Sequence, residues 1–223
     1  FSGGAFANLD QEKYFWRNGL NLNIAKTKLA LNEAAADTVD LETTADAINV
    51  TSLFGYKLSD KWAISALGEY RSTLLENFNN PGYLDLGVGA TWTPISNMVV
   101  VLHPLNYNIV MADSDVNYES SLGCKIVADY NQALPMGLAW RSNLSAFVSY
   151  SDSNNFSNWT WINGINFTAW KGIGIGFEFG LRKNKQESYN TFIAASGADP
   201  EVIAIDAFKD QPDADNPLQT YWL

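Results

Sequence analysis

Apolar and polar residues alternate along most of the chain, and the stretch 172–182, GIGIGFEFGLR, does so without a slip. Ile173, Ile175, Phe177, Phe179 and Leu181 share one parity, while Gly174, Gly176, Glu178, Gly180 and Arg182 share the other. Successive side chains of a strand point to opposite faces, so this segment reads as a strand with a greasy face and a face of bare backbone and charge. That combination suits the wall of a narrow wet tube whose greasy side meets lipid.

The same period predicts strands over 1–8, 13–30, 44–58, 61–74, 83–93, 97–111, 118–130, 136–150, 157–170, 172–184 and 217–223. Their connections take turns in length. Tight ones are LDQEK (9–13), LSDK (58–61), TPISN (93–97), NQALP (131–135) and WKG (170–172). Longer ones cover 31–43, 75–82, 112–117, 151–156 and 185–216. The tight set is built from turn-forming residues. Short turns at one end and long loops at the other are the organisation of an outer-membrane barrel, with turns periplasmic and loops extracellular. The fold class expected is all-β: an antiparallel up-and-down transmembrane β-barrel, read as one domain over 1–223. Such barrels have an even strand count, so about twelve strands are expected in the intact protein, with both ends of this chain incomplete.

Aromatic residues sort to the strand ends. Trp16, Trp62, Trp92, Trp140 and Trp170, with Tyr14, Tyr56 and Tyr130, lie near tight turns. Trp159, Trp161 and Trp222, with Tyr70, Tyr83, Tyr118 and Tyr150, lie toward the long loops. Two aromatic bands separated by aliphatic residues match the girdles at the two lipid–water boundaries. Parity also places Arg17, Glu69, Arg71, Asp85, Lys125, Asp129, Arg141, Glu178 and Arg182 opposite the aliphatic rows. These nine charges would be costly in a dry core and are expected to line an aqueous lumen.

Composition sharpens this picture. No run of 18 apolar residues exists, which excludes a membrane-spanning helix but not a barrel, whose hydrophobicity is hidden in alternation. The net charge is −10, and the acids concentrate in 33–46, 113–119 and 199–215, accompanied only by Lys209. Nucleic-acid binding needs a basic face and is therefore not expected. The single cysteine, Cys124, rules out an internal disulfide and an all-cysteine metal cage.

FGYKLSDKWAISALGEYRST (54–73), YLDLGVGATWTP (83–94) and HPLNYNIVMADSD (103–115) occur in an order and spacing that resembles a Bacteroidota-type outer-membrane β-barrel family of unknown function. The resemblance covers about residues 1–183, and its matching points are Gly-Tyr-Lys before a short turn, the aromatic after it, and the Pro-Leu step. His103 stands where the family pattern has Ser before Pro104, and the loops are shorter. The resemblance implies a barrel in the outer membrane of a Gram-negative bacterium and brings neither a catalytic residue nor a substrate.

Candidate chemistry is sparse. His103 is the lone histidine, has no His-x-Ser spacing, and precedes a change of phase at Pro104 that reads as a β-bulge. DSDVNYE (113–119) spaces oxygen ligands at alternate positions but lacks the central Gly and distal Glu of a calcium loop. DAFKDQPDADNP (206–217) reads equally as a solvated acidic loop. No catalytic set, metal or cofactor is expected, and the chain is not read as an enzyme. The leading expectation is a structural or accessory subunit of a larger outer-membrane assembly, in contact with lipid or lipopolysaccharide and with other outer-membrane proteins. Its motive is a set of small or polar positions on the greasy wall: Cys124, Ala128, Ser142, Ala146 and Asn163, with Asn18 and Ser52. A small passive, porin-like channel for polar solutes is the alternative, and a soluble β-sandwich binding module is a lesser one.

Overall fold

The structure is a computed structural model that describes residues 1–27, 42–75, 77–113, 118–170, 173–196, 205 and 219–222. Eleven antiparallel strands form a single sheet in strict chain order. They are β1 (Ser2–Asp10), β2 (Tyr14–Thr27), β3 (Glu42–Lys57), β4 (Trp62–Ser72), β5 (Gly82–Ile95), β6 (Met98–Met111), β7 (Ser121–Leu134), β8 (Leu138–Ser149), β9 (Asn158–Trp170), β10 (Ile173–Asn184) and β11 (Gln219–Trp222). One helix, α1 (Lys185–Ser196), follows β10. Every strand of the alternating pattern is present. The helix was not expected in what reads as a long loop.

The sheet curves into a half-barrel. One contact measures the curl. Asn184 at the end of β10 donates to the Tyr83 hydroxyl on β5 at 3.2 Å. Five strand spacings on a flat sheet span about 24 Å, well beyond the reach of these two side chains. One face is therefore sheltered inside the curve and the other faces outward. There is one sheet rather than two stacked ones, and the strand order leaves one flank of β1 and one of β11 unpaired among the described residues.

Face assignment follows the alternation. Phe15, Leu67, Glu69, Asp85, Lys125 and Phe147 are buried on the inner face. Ile64, Leu86, Val88, Leu102, Leu105, Val148, Ile175 and Phe177 are large apolar residues exposed on the outer face. Two glycines let inner aromatics lie flat. A Cβ at Gly55 would overlap the ring of Phe15, its partner across β2–β3, and one at Gly123 would overlap the Phe147 ring. At the His103–Pro104 step the ladder shifts register on both flanks. Inner parity moves from Val101 and His103 to Asn106 and Asn108, as a bulge requires. The Pro104 carbonyl accepts a hydrogen bond from the Tyr150 hydroxyl at 2.7 Å, so it is not left unpaired.

Connections alternate as their composition suggests, with short ones at 11–13, 58–61 and 96–97. Boundaries shift at several places: β1 runs on to Asp10, β3 begins at Glu42, β5 runs on to Ile95, and β7 spans Ser121–Leu134, so that the turn there is Pro135–Gly137. That turn holds Met136 and Gly137 at φ of 66° and 74°. Of the acidic loops, 33–41 lies outside the described residues, as do 114–117 and all of 199–215 except Ile205.

Candidate functional site

The centre of the inner face is a closed ion network. Its charges come from three strands, each placed inward by parity: Glu69 and Arg71 on β4, Asp85 on β5, Lys125 on β7. Lys125 Nζ lies 2.8 Å from Asp85 Oδ2 and 3.0 Å from Glu69 Oε2. Arg71 reaches Asp85 Oδ2 at 3.3 Å through Nη2, and its Nε is 3.6 Å from Glu69 Oε1. Asn106 and Asn108 donate to Asp85 Oδ1 at 2.9 and 3.0 Å, and Asn49 donates to Glu69 Oε1 at 3.0 Å. Two acids and two bases cancel in charge, and all four carboxylate oxygens have a partner. Asp85 and Lys125 are 0% exposed. Buried ions are tolerated when paired and hydrogen-bonded in this way.

Beside it lies a second polar chain. Thr91 donates to Ser65 Oγ at 2.8 Å, and Ser65 Oγ is 2.9 Å from His103 Nε2. With its oxygen accepting from Thr91, the Ser65 hydroxyl is free to donate to the imidazole. The serine comes from β4, 38 residues away, so a search for a serine close to His103 in the chain does not find it. A histidine that activates a hydroxyl needs a group to orient it and a substrate that can reach it. His103 Nδ1 has no hydrogen-bond partner and the residue is 0% exposed, so the geometry supplies neither.

Helix α1 covers the long-loop end of the inner face. Lys185, Gln186, Tyr189 and Asn190 are buried and recur at helical spacing. Lys185 Nζ donates to Asn155 Oδ1 at 2.6 Å. Gln186 pairs with the Glu119 backbone twice, accepting from its N–H at 2.8 Å and donating to its carbonyl at 3.3 Å. Glu187 meets Arg182 and Asn184. Tyr118 packs edge-on against Tyr83, their ring centroids 6.3 Å apart. Burial, with the Glu187 carboxylate nearby, pushes the Tyr118 hydroxyl up to about 12. Tyr83 is buried on the inner face, so Tyr83 and Tyr118 are not girdle residues, correcting that expectation.

The nine inward charges do not form one cluster. Glu69, Arg71, Asp85 and Lys125 meet. Arg141 pairs with Glu178 at 2.6 Å, Asp129 accepts from Asn143 at 2.5 Å, and Arg182 pairs with Glu187 of α1. Arg17 places its guanidinium 4.8 Å over the Phe15 ring. Residues missed in the sequence are the amides Asn49, Asn106 and Asn108, the Thr91–Ser65–His103 chain, and α1.

On the outer face Trp16, Trp62, Trp92, Trp140 and Trp161 are exposed and Trp159 is half-buried. Trp62 and Trp92 pair across β4–β5 and stack at 5.7 Å, and Tyr130 meets Trp140 edge-on at 5.2 Å. The Trp170 and Trp222 side chains lie outside the described residues. Polar wall positions have local partners. Trp16 donates its indole N–H to Ser52 Oγ at 2.9 Å, Ser52 donates to Asn18 Oδ1, and Trp161 donates to Ser142 Oγ at 3.0 Å. Cys124, Ala128 and Ala146 sit on β7 and β8 at half-buried outer positions, and Asn163 pairs in register with Ser142. Among the described residues no three His, Cys, Asp or Glu side chains group as a metal site, and no helix is long and apolar enough to cross a membrane.

A family model described as "Protein of unknown function (DUF3078)" matches residues 1–78. That is a shorter stretch than the 1–183 of the sequence resemblance, and the description names neither an organism group nor a compartment. No curated protein and no solved structure matches the chain.

Proposed function

We propose that this chain is an integral outer-membrane β-barrel with a sealed bore, acting as a structural or accessory subunit rather than as a channel or an enzyme. The observation that carries the reading is the inversion of the sheet: large aliphatic and aromatic residues are exposed on the outer face while paired ions are buried on the inner one. Water on the outer face would make it an aggregation surface of unusual extent. Lipid makes it the favourable side, with Trp and Tyr at both margins. Closure requires the free flanks of β1 and β11 to be paired. Both are odd-numbered strands of a meander and run parallel, so an antiparallel seam takes one more strand, giving about twelve.

The channel reading is disfavoured by the inner face. A conduit needs a hydrated path along its length, whereas all four central carboxylate oxygens are taken up by protein partners, although Arg71 Nε lacks a hydrogen bond, and α1 covers the long-loop end. For the accessory role the support is the band of small side chains Cys124, Ala128 and Ala146, where a second membrane protein can approach closely. Ser142 serves Trp161 and contributes less to that band.

The test is detergent phase separation followed by planar-bilayer recording of the purified full chain. Partition into the detergent phase with no steady conductance is expected. Recovery in the aqueous phase overturns the membrane assignment, and reproducible unitary openings overturn the sealed bore.

A further inference from the structure

We infer that the connection between β4 and β5 is a fixed membrane-surface anchor whose Leu74, Leu75 and Phe78 insert into the lipid leaflet at the long-loop margin. The inference rests on the membrane reading above and deepens it. In the segment 73–80, whose other members are Thr73, Glu76 and three Asn, these three side chains are 37%, 47% and 60% exposed. Their backbone is held firmly. Asp46 of β3 accepts from the Leu74 and Leu75 N–H groups, both at 2.9 Å. Tyr70 of β4 donates to Asn79 Oδ1 at 3.0 Å, the Asn79 N–H donates to Ser72 Oγ at 2.8 Å, and Asn80 exchanges two hydrogen bonds with Asp113.

The direction of the loop follows from its outer anchors. Along β3 the outward row runs Phe54, Ser52, Val50, Ile48 and Asp46, and along β4 it passes Tyr70 and ends at Ser72. A loop tied to Asp46, Tyr70 and Ser72 of these two rows continues the outer apolar wall rather than folding over the bore. Aliphatic and aromatic side chains just beyond an interfacial Tyr are placed at the headgroup–acyl boundary, where burial of apolar area drives binding. The segment 73–80 contains no Lys or Arg and one acid, Glu76, so attachment draws on apolar burial and not on attraction to anionic headgroups.

Spin labels on the full chain in phosphatidylcholine vesicles test this. In a Cys124→Ser background, labels are placed singly at Phe78→Cys and Leu75→Cys, with Leu86→Cys as the wall control and Asn154→Cys as the aqueous control. Collision with oxygen is compared with collision with a water-soluble nickel chelate. At 78 and 75 the oxygen-to-chelate ratio is expected to exceed the aqueous control several-fold and to fall below that at 86. If 86 reads as lipid while 78 and 75 read as water, the anchor is wrong and the membrane reading survives. Labels at 78 and 75 shielded from both reagents indicate a protein partner and also overturn the anchor. If 86 itself reads as water, the membrane reading fails and takes the anchor with it.

Discussion

Lys125 Nζ stands 2.8 Å from Asp85 Oδ2 across an intervening strand, and both residues are fully buried. Asn106 and Asn108 of that strand fill the gap by donating to the other Asp85 oxygen. Removing the ammonium leaves two buried carboxylates facing each other with only Arg71 and the amides to hold them. Lys125→Met is therefore expected to destabilise the protein by about 3–5 kcal/mol, the range for breaking a buried pair. Combining it with Glu69→Gln alone, which leaves Asp85 paired with Arg71 and the cluster neutral, should restore much of the loss. Urea unfolding in lipid vesicles, followed by Trp emission, checks both; a single variant within about 1 kcal/mol of the parent removes the network's structural role.

A second expectation concerns packing over glycine. The Phe15 ring occupies the space a Cβ would take at Gly55. Gly55→Ala should cost about 1–3 kcal/mol, as overpacking does. The cost should shrink when Phe15→Ala is already present, because the clash has then been removed. Additive losses in this double-mutant cycle would mean that the ring and the glycine are not coupled.

How far these features were legible differs by element. The strands were readable because a sheet with one apolar face imposes a period of two, and β10 shows it without interruption. Four members of the ion network were also readable, since Glu69, Arg71, Asp85 and Lys125 each fall on the parity opposite aliphatic rows. Their pairing was not, because strand parity fixes a face but not a height, and the five remaining charges turned out to sit elsewhere. Asn49, Asn106 and Asn108 carry no charge to flag them. The helix was hidden for a physical reason. Apolar stripes reveal helices that pack on apolar surfaces, whereas α1 buries Lys185, Gln186 and Asn190 against polar groups. Its KQESYNTFIAAS sequence therefore resembles a solvated loop.

The outer wall gives a third prediction. Trp161 donates to Ser142 Oγ, a neutral hydrogen bond at the long-loop margin. Ser142→Ala leaves the indole N–H without this acceptor and should cost about 0.5–1.5 kcal/mol. A difference emission spectrum against Trp161→Phe isolates the affected indole. An unchanged Trp161 contribution would show that the serine is not its partner, and Ser142 would then rejoin the band of small side chains proposed as a contact surface.

The loop that steadies α1 is expected to be sensitive to acid. Asp152 accepts hydrogen bonds from the backbone N–H groups of Asn154 and Asn155 and from the Asn155 side chain, and Asn155 in turn accepts from Lys185. These bonds, the Asn155 backbone N–H first among them, hold the Asp152 carboxyl below the usual range for an aspartate. A lowered folded value means that the charged form stabilises the fold. Its contribution is complete above the unfolded aspartate value of about 4 and is lost as pH falls through the lower folded value. Amide hydrogen exchange at Asn154 and Asn155 should be slow from neutral pH down to about pH 4, once intrinsic rates are corrected for, and should quicken below it. Asp152→Asn should remove that dependence and loosen α1, seen as faster exchange at Gln186 through Asn190. Protection that is the same at pH 3 and pH 6, or a helix untouched by the substitution, would separate the loop from the helix it is argued to hold.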